Sequence, residues 1–174
     1  GTSQSSPVLR LTRSRSGLIL VRRTNHGDSG LEKVGNMSND AKSPGRANPV
    51  TRGLIHSALE ALVDEIAITV SAMGVSHRTS NQYDFSCGIF DRRGQVLAQG
   101  AGLPAATSAI PDTMQAMLRM FGEDIEPGDV FLTNDPFEGG THLPDFYMFR
   151  PIFFEDALVG FSAIYTHHVD VGGR

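Results

Sequence analysis

The stretch FYMFRPIFFEDALVGFSAIYT, residues 146–166, consists of two apolar runs separated by an acidic break. The runs Phe146–Phe154 and Leu158–Thr166 are rich in aromatic and β-branched residues, a composition typical of β-strands. The break at Glu155, Asp156 and Ala157 gives the chain a place to reverse. The stretch therefore predicts an antiparallel hairpin.

The position of this turn sets the pairing of the two strands. If Phe154 lies opposite Ala157, counting outward places His167 opposite Pro144, and a longer turn moves the pairing by about one residue. Opposed residues have Cβ atoms about 4.5–5.5 Å apart. The far ends of the hairpin are therefore expected to bring His142, Asp145 and His167 together.

Two histidines and a carboxylate are a recognised set of metal ligands. Imidazole and carboxylate suit zinc, iron(II) or manganese, and three protein ligands leave positions for water or substrate. The spacing therefore predicts an open, catalytic divalent-metal site made by His142, Asp145 and His167. Spacing alone does not separate this site from ordinary turn and surface residues.

Four further polar residues lie near these positions. Asp135, His168 and Asp170 could orient the ligand imidazoles or replace a ligand, and Asp84 could also reach the site. The alternative for each is a turn cap or a surface charge. We predict that His168 and Asp170 are catalytic residues that move protons.

The preceding part of the chain contains two helical patterns. Apolar residues recur at helical spacing over Thr51–Met73, where Gly74 is placed to end an amphipathic helix with an acidic opposite face. A second helix is predicted from Ile110 to Phe121, with Ser108 and Pro111 at its start, after a Gly- and Ala-rich loop over residues 100–107.

Short strand patterns lie between and after these helices. Residues 84–99 predict a hairpin that reverses at 91–94, where Gly94 permits a positive φ. A turn at Pro127 and Gly128 leads into a strand over Val130–Thr133. Because hairpins imply antiparallel pairing, the predicted class is α+β, with amphipathic helices packed on antiparallel hairpins.

Composition narrows the classes of protein. The net charge of −4 and a pI near 5.8 argue against a nucleic-acid surface. No apolar run approaches the roughly 20 residues that span a bilayer. Cys87 is the single cysteine, so an intramolecular disulfide is excluded and a reducing cytoplasm is the simplest location. Phe85, Ile89 and Phe90 around it favour a small buried side chain over a nucleophile.

The first 47 residues differ from the rest. Residues 1–52 hold nine Lys or Arg side chains and three acidic ones, whereas acids dominate the remainder of the chain. A targeting presequence is one interpretation of the first 36 residues. The simpler interpretation is that Met37 is the start and that residues 1–36 are upstream sequence. We expect residues 1–47 to be a disordered or extraneous tail.

Two linked motifs resemble a known family. NDPFEGGTHLPD at residues 134–145 and HHVDVGG at residues 167–173 are similar to motifs of the hydantoinase B/oxoprolinase family, which includes N-methylhydantoinase subunits and related acetone and acetophenone carboxylase subunits. The resemblance also covers Asn48–Thr51, the first predicted helix, Asp84–Asp91 and Leu97–Gln99. It implies that residues 48–174 are the N-terminal portion of a larger domain that is truncated at the C-terminus.

The resemblance implies an activity and a partner. In that family the residues that match His142, Asp145 and His167 are the metal ligands, described as binding manganese or zinc in the carboxylase branch. ATP is bound by a separate hydantoinase A-type subunit, and this chain has no Walker-type phosphate loop of its own.

The function predicted is that of a metal-dependent subunit of an ATP-dependent hydrolase acting on small cyclic amides. The alternatives are a subunit of an ATP-dependent ketone carboxylase and a truncated, non-catalytic interaction module. The motifs do not separate the hydrolase from the carboxylase, whereas the non-catalytic module predicts no tightly bound metal.

Overall fold

The predicted hairpin lies at the centre of a seven-stranded antiparallel sheet in the computed structural model, which describes residues 8–13, 18–24, 48–100, 104–122 and 124–172. The strand order is β1-β2-β5-β6-β7-β3-β4. The strands are β1 (Val8–Arg13), β2 (Ile19–Thr24), β3 (Phe85–Asp91), β4 (Val96–Gln99), β5 (Val130–Thr133), β6 (Asp145–Phe154) and β7 (Ala157–His167). With its three helices, the sheet confirms the predicted α+β class.

The central hairpin turns where the sequence predicted, because Phe154 pairs with Ala157. Its register nevertheless changes by one residue along the strands. Ile152 pairs with Gly160 and Phe153 with Leu158, so Val159 is the extra residue of a β-bulge. The prediction that His167 lies opposite Pro144 is therefore wrong by one residue, and His167 pairs with Asp145.

The helices α1 (Pro49–Met73) and α3 (Pro104–Phe121) pack on opposite faces of the sheet. Along β7, Phe161, Ala163 and Tyr165 belong to the core that α3 covers, whereas Ile164 packs in the core beneath α1. Successive strand residues point to opposite faces, so the two cores are separated by the sheet itself.

Helix boundaries follow local capping. The side chain of Asn48 accepts a hydrogen bond from the backbone N–H of Val50 at 3.0 Å, and α1 begins two residues before the predicted start. The predicted start of α3 near Ser108 is wrong, because the helix begins at Pro104, a residue suited to a first turn. A short helix, α2 (His77–Ser80), was not predicted.

Two segments of the predicted tail are strands. β1 pairs with β2, and β2 pairs with β5 at the sheet edge. Leu18 and Leu20 are buried there in the α3 core, which explains why the structure differs from the expected disorder at these segments. Apart from residues 8–13 and 18–24, residues 1–47 lie outside the described residues. A domain boundary between residues 47 and 48 stays a prediction.

The apolar face of α1 is covered only in part. Val63 and Ala67 are its buried residues, whereas Leu54, Ile55 and Met73 are exposed. Beside α1 lies an open cavity of about 920 Å³, which we call the α1 groove. Its apolar walls include Leu62, Ile66, Val70, Leu132, Phe146, Met148 and Ile164. Among the described residues, no helix is both long and apolar enough to cross a membrane.

Candidate metal centre

Asp145 is the first residue of β6 and lies directly opposite His167, the last residue of β7. Opposed residues of an antiparallel pair project from the same face of a sheet. The Nδ1 atom of His167 therefore lies 2.9 Å from Oδ1 of Asp145. The core position of Asp145 leaves its side chain 1% exposed, and that of His167 is 14% exposed.

His142 reaches the same carboxylate from the loop before β6. The backbone N–H of Asp145 donates to the carbonyl of His142 at 2.9 Å, which makes a turn between the two residues. The Nδ1 atom of His142 lies 2.7 Å from Oδ2 of Asp145, and its side chain is 58% exposed. One side of the cluster therefore opens to solvent through His142.

Three hydroxyl groups surround the buried carboxylate. Tyr165 donates to Oδ1 of Asp145 at 2.7 Å, and the hydroxyl of Thr141 donates to Oδ2. Because Thr141 uses its single hydroxyl proton on Asp145, the hydroxyl of Tyr147 must donate in its 3.0 Å contact with Thr141 Oγ1. Each oxygen of Asp145 thus accepts from one hydroxyl group, Oδ1 from a buried tyrosine and Oδ2 from an exposed loop residue that Tyr147 supports.

Burial keeps these tyrosines protonated. It raises the pKa of Tyr165 above its ordinary value, and the hydrogen bond to the Asp145 carboxylate raises that pKa further. Burial likewise raises the pKa of Tyr147, which outweighs the lowering effect of its contacts with Thr141. Both phenols are therefore available as hydrogen-bond donors at neutral pH.

The loop that carries His142 is held in one shape by local contacts. Gly139 has a φ of +94°, and a Cβ atom built on it would meet the backbone nitrogen of Thr113 in α3 at 2.7 Å. Only glycine fits this close approach without strain. The side chain of Asn134 also donates to the carbonyl of Leu143 at 2.8 Å, so the two ends of the loop are tied together.

The predicted neighbours of the site lie elsewhere. The ring of His168 is on the other face of the sheet, where it lines the α1 groove and packs 4.8 Å from the ring of Phe146. Asp170 is exposed and accepts from the backbone N–H of Gly172 at 2.8 Å. Neither side chain contacts the three clustered residues, so their predicted catalytic role gains no support from this geometry.

Asp135 and Asp84 have structural partners instead. Asp135 caps a short 3-10 helix, Pro136–Glu138, by accepting from the backbone N–H of Phe137 at 2.9 Å. The Asp84 carboxylate pairs with Arg78 at 3.0 Å, while its backbone carbonyl accepts from the N–H of His167. Asp135 matches the turn-cap alternative. The Asp84 carboxylate is 8% exposed and ion-paired, so it is neither a turn cap nor the surface charge that was the other alternative.

The hydroxyl network was missed at the level of sequence. Tyr165 precedes His167 by two residues and Tyr147 follows Asp145 by two, so each tyrosine shares a strand face with a predicted ligand. That period-2 spacing was the available signal. Thr141 lies in a loop, where no periodicity indicates the direction of its side chain.

The donor set fits a divalent ion. One atom each from His142, Asp145 and His167 lies within 4.8 Å of the others. Bonds of about 2.1 Å to a tetrahedral ion would place ligand atoms about 3.4 Å apart. The Nδ1 atoms of His142 and His167 lie 2.7 and 2.9 Å from the Asp145 oxygens, so modest rotations of the imidazoles would give the spacing that an ion needs. Two neutral imidazoles and one carboxylate are also the ligand types of open zinc and iron sites.

A comparison with protein families agrees with the fold and the two sequence motifs. The family model for hydantoinase B/oxoprolinase matches residues 48–174, and the chain belongs to the hydantoinase B/oxoprolinase family. The matched range includes all the residues of the clustered site.

Particular relatives include 5-oxoprolinase 1 of Arabidopsis thaliana, which is 32% identical over 127 residues that make up 73% of this chain and 10% of that protein. The beta subunit of the caprolactamase of Pseudomonas jessenii is 29% identical over 72% of this chain and 22% of its own length.

Two solved structures share the fold. The ATP-dependent caprolactamase from Pseudomonas jessenii has a TM-score of 0.64 and 28% identity over 74% of this chain and 22% of that chain. A nucleotide-free acetone carboxylase has a TM-score of 0.67 and 22% identity over 72% of this chain and 17% of that chain. The chain thus spans less than a quarter of the length of each of these relatives.

Proposed function

We propose that this chain contributes a divalent-metal site to a subunit of an ATP-dependent hydrolase acting on small cyclic amides. The observation that carries the proposal is the meeting of His142, Asp145 and His167, whose donor atoms lie within 4.8 Å of one another. The 5-oxoprolinase and caprolactamase relatives support the cyclic-amide part of the proposal.

The three proposed ligands differ in burial, and this difference suggests separate roles in holding the ion and admitting the substrate. Asp145 and His167 belong to paired strands and are shielded, so they would hold an ion in a fixed position. His142 is more than half exposed, so the substrate would approach from its side. A divalent ion held there would supply Lewis-acid activation of an amide carbonyl.

The proposed role of ATP belongs to another subunit. We propose a hydantoinase A-type partner that binds ATP, since one matched relative is named as the beta subunit of a caprolactamase and another as a subunit of a putative D-/L-hydantoinase. The substrate amide oxygen would be activated by that partner before this site acts on it. Zinc, manganese or iron is therefore the cofactor that we propose for the described part of this chain.

Metal analysis of the purified, untagged chain tests the proposal. We expect about one equivalent of zinc, manganese or iron, and loss of that metal in His142→Ala, Asp145→Ala and His167→Ala. His56→Ala is the matched control, because His56 is an exposed histidine on α1 whose partner is Glu60. Metal-free protein after supply of all three ions, or equal metal in His142→Ala, would contradict the proposal and favour a non-catalytic interaction module.

A second assay separates hydrolase from carboxylase. The complete subunit and its A-type partner would be assayed for ATP consumption with hydantoins, oxoproline and small ketones. Cyclic-amide-dependent ATP consumption without bicarbonate supports the hydrolase. Dependence on both a ketone and bicarbonate would instead support the carboxylase alternative, whose structural relative shares the fold at 22% identity.

A further inference from the structure

We propose that Tyr165 is a positioning residue of the metal site, because its hydroxyl fixes the Asp145 carboxylate in the orientation that presents it to the ion. This inference rests on the proposed metal site and goes beyond it by assigning a role to a residue that is not a ligand.

Both oxygens of Asp145 have a hydroxyl and an imidazole in contact. Oδ1 accepts from the Tyr165 hydroxyl at 2.7 Å and faces Nδ1 of His167 at 2.9 Å. Oδ2 accepts from the Thr141 hydroxyl and, at 3.2 Å, from the backbone N–H of His142, and it faces Nδ1 of His142 at 2.7 Å. Each oxygen thus has one hydroxyl contact and one imidazole contact. The hydroxyl contacts of Tyr165 and Thr141 can remain when the two imidazole rings rotate to bind an ion.

Of the two hydroxyl groups that contact Asp145, that of Tyr165 is held more rigidly. It lies on β7 with 3% exposure, two residues before His167 on the same face, and its ring packs 5.2 Å from that of Tyr147. Thr141 lies in an exposed loop instead. A phenol held by the core defines the plane of a carboxylate more strictly than a hydroxyl on a loop.

The same hydrogen bond also stabilises a buried carboxylate, so a purely structural role is the competing explanation. A buried acceptor that loses its donor costs about 1–3 kcal/mol in stability. A structural role would lower the stability of the metal-free chain and leave metal affinity unchanged. A positioning role requires a loss of metal affinity that depends on Asp145.

The test is the dissociation constant for zinc and for manganese, measured by competition with a chromophoric chelator. Tyr165→Phe keeps the ring and removes only the hydroxyl, and we expect about 10- to 100-fold weaker binding. Tyr83→Phe is the matched control, because Tyr83 is 56% exposed and does not contact the site, and it should bind as the unaltered chain does. Thermal unfolding of each metal-free variant reports on stability separately.

A double-mutant cycle separates the two roles. In an Asp145→Ala background, which loses its bound metal on purification but whose weak remaining affinity is measured by titration at high zinc, Tyr165→Phe should cause no further loss, because Tyr165 acts only through Asp145. An equal loss in both backgrounds would show a general effect of folding and overturn the inference. Unchanged affinity in Tyr165→Phe would also overturn it while the metal site stands. If the unaltered chain binds no metal, the proposed function fails and this inference fails with it.

Discussion

The thiol of Cys87 lies between α1 and β3, with 0% exposure and its Sγ atom 3.7 Å from the carbonyl of Val63. The interpretation of Cys87 as a small buried side chain is therefore confirmed. Burial, together with the nearby Asp64 carboxylate, raises the pKa of this thiol from 9.0 to about 11. A neutral thiol is a poor nucleophile, which agrees with a packing role.

The raised pKa of Cys87 predicts a loss of stability at alkaline pH. The unfolded thiol ionises near pH 9.0 while the folded thiol keeps its proton until about pH 11. The folded state binds more protons in that window, so the free energy of unfolding falls as pH rises through it. We expect Cys87→Ala, compared by denaturant unfolding at pH 8 and pH 10, to lose less stability than the unaltered chain. Equal losses would contradict a thiol that is held protonated.

Single residues differ in how well sequence predicts their roles. His142, Asp145 and His167 could be selected because the predicted hairpin brings two imidazoles and a carboxylate together at the ends of its strands. Tyr165 carries a hydroxyl that serves packing or hydrogen bonding equally well, and only its contact with Oδ1 of Asp145 separates these roles. The sequence therefore predicted that the three side chains meet, which the structure shows, but it did not indicate that Tyr165 contacts one of them.

Among the elements, the central hairpin shows what sequence leaves undetermined. Its two strands and its turn were predicted, but the bulge at Val159 was not. Without the bulge, Asp145 would pair with Thr166, and the side chains of Asp145 and His167 would project from opposite faces. The bulge therefore places Asp145 and His167 on the same face of the sheet. Gly160 borders the bulge and closely approaches the Phe90 carbonyl on β3, a contact that the hairpin's own sequence does not indicate.

Arg22 on strand β2 forms ion pairs with carboxylates in the segment just before β5. Arg22 makes two hydrogen bonds to Asp129, at 2.8 and 2.9 Å, and also pairs with Asp124 and Glu126. These carboxylates raise the pKa of Arg22, and Asp129 is 0% exposed. Removal of Arg22 would leave a buried carboxylate without its cation.

Substitution of Arg22 tests whether the N-terminal strands belong to the stable fold. We expect Arg22→Met to lower the free energy of unfolding by about 3 kcal/mol, since the Asp129 carboxylate loses its buried partner. Arg92→Met is the control, because Arg92 is exposed in the β3–β4 turn and its loss should cost about 0.5 kcal/mol or less. If both variants unfold at the same denaturant concentration, β2 contributes little to stability.

On the scale of the whole molecule, the two sheet faces are unequally covered. The face under α3 is closed by Ile110, Met114 and Met117, each 0% exposed. The other face is covered by α1 chiefly over β3 and β4, so part of β5, β6 and β7 borders the α1 groove. Periodicity predicted that α1 has an apolar side. Periodicity does not indicate how much of that apolar side is buried against the sheet and how much stays exposed among the described residues.

The α1 groove predicts binding of an apolar dye by the native chain. Met148 is 44% exposed on its sheet wall, and several α1 side chains add further apolar surface. We expect ANS to fluoresce strongly with the folded chain, because apolar patches of this size bind such dyes. Met148→Glu should lower that fluorescence by roughly half, since a charge on the groove wall disfavours apolar contact.

A substitution at the turn of the central hairpin serves as the control that shows whether the dye binds in the α1 groove. Phe154 is 68% exposed and does not line the groove, so Phe154→Glu should leave most of the dye fluorescence intact. Thermal unfolding of both variants would show that the fold is retained. Similar losses in the two variants would mean that the dye reports loosened packing rather than the groove. A selective loss in Met148→Glu would locate the accessible apolar surface on the sheet face opposite Asp145 and His167.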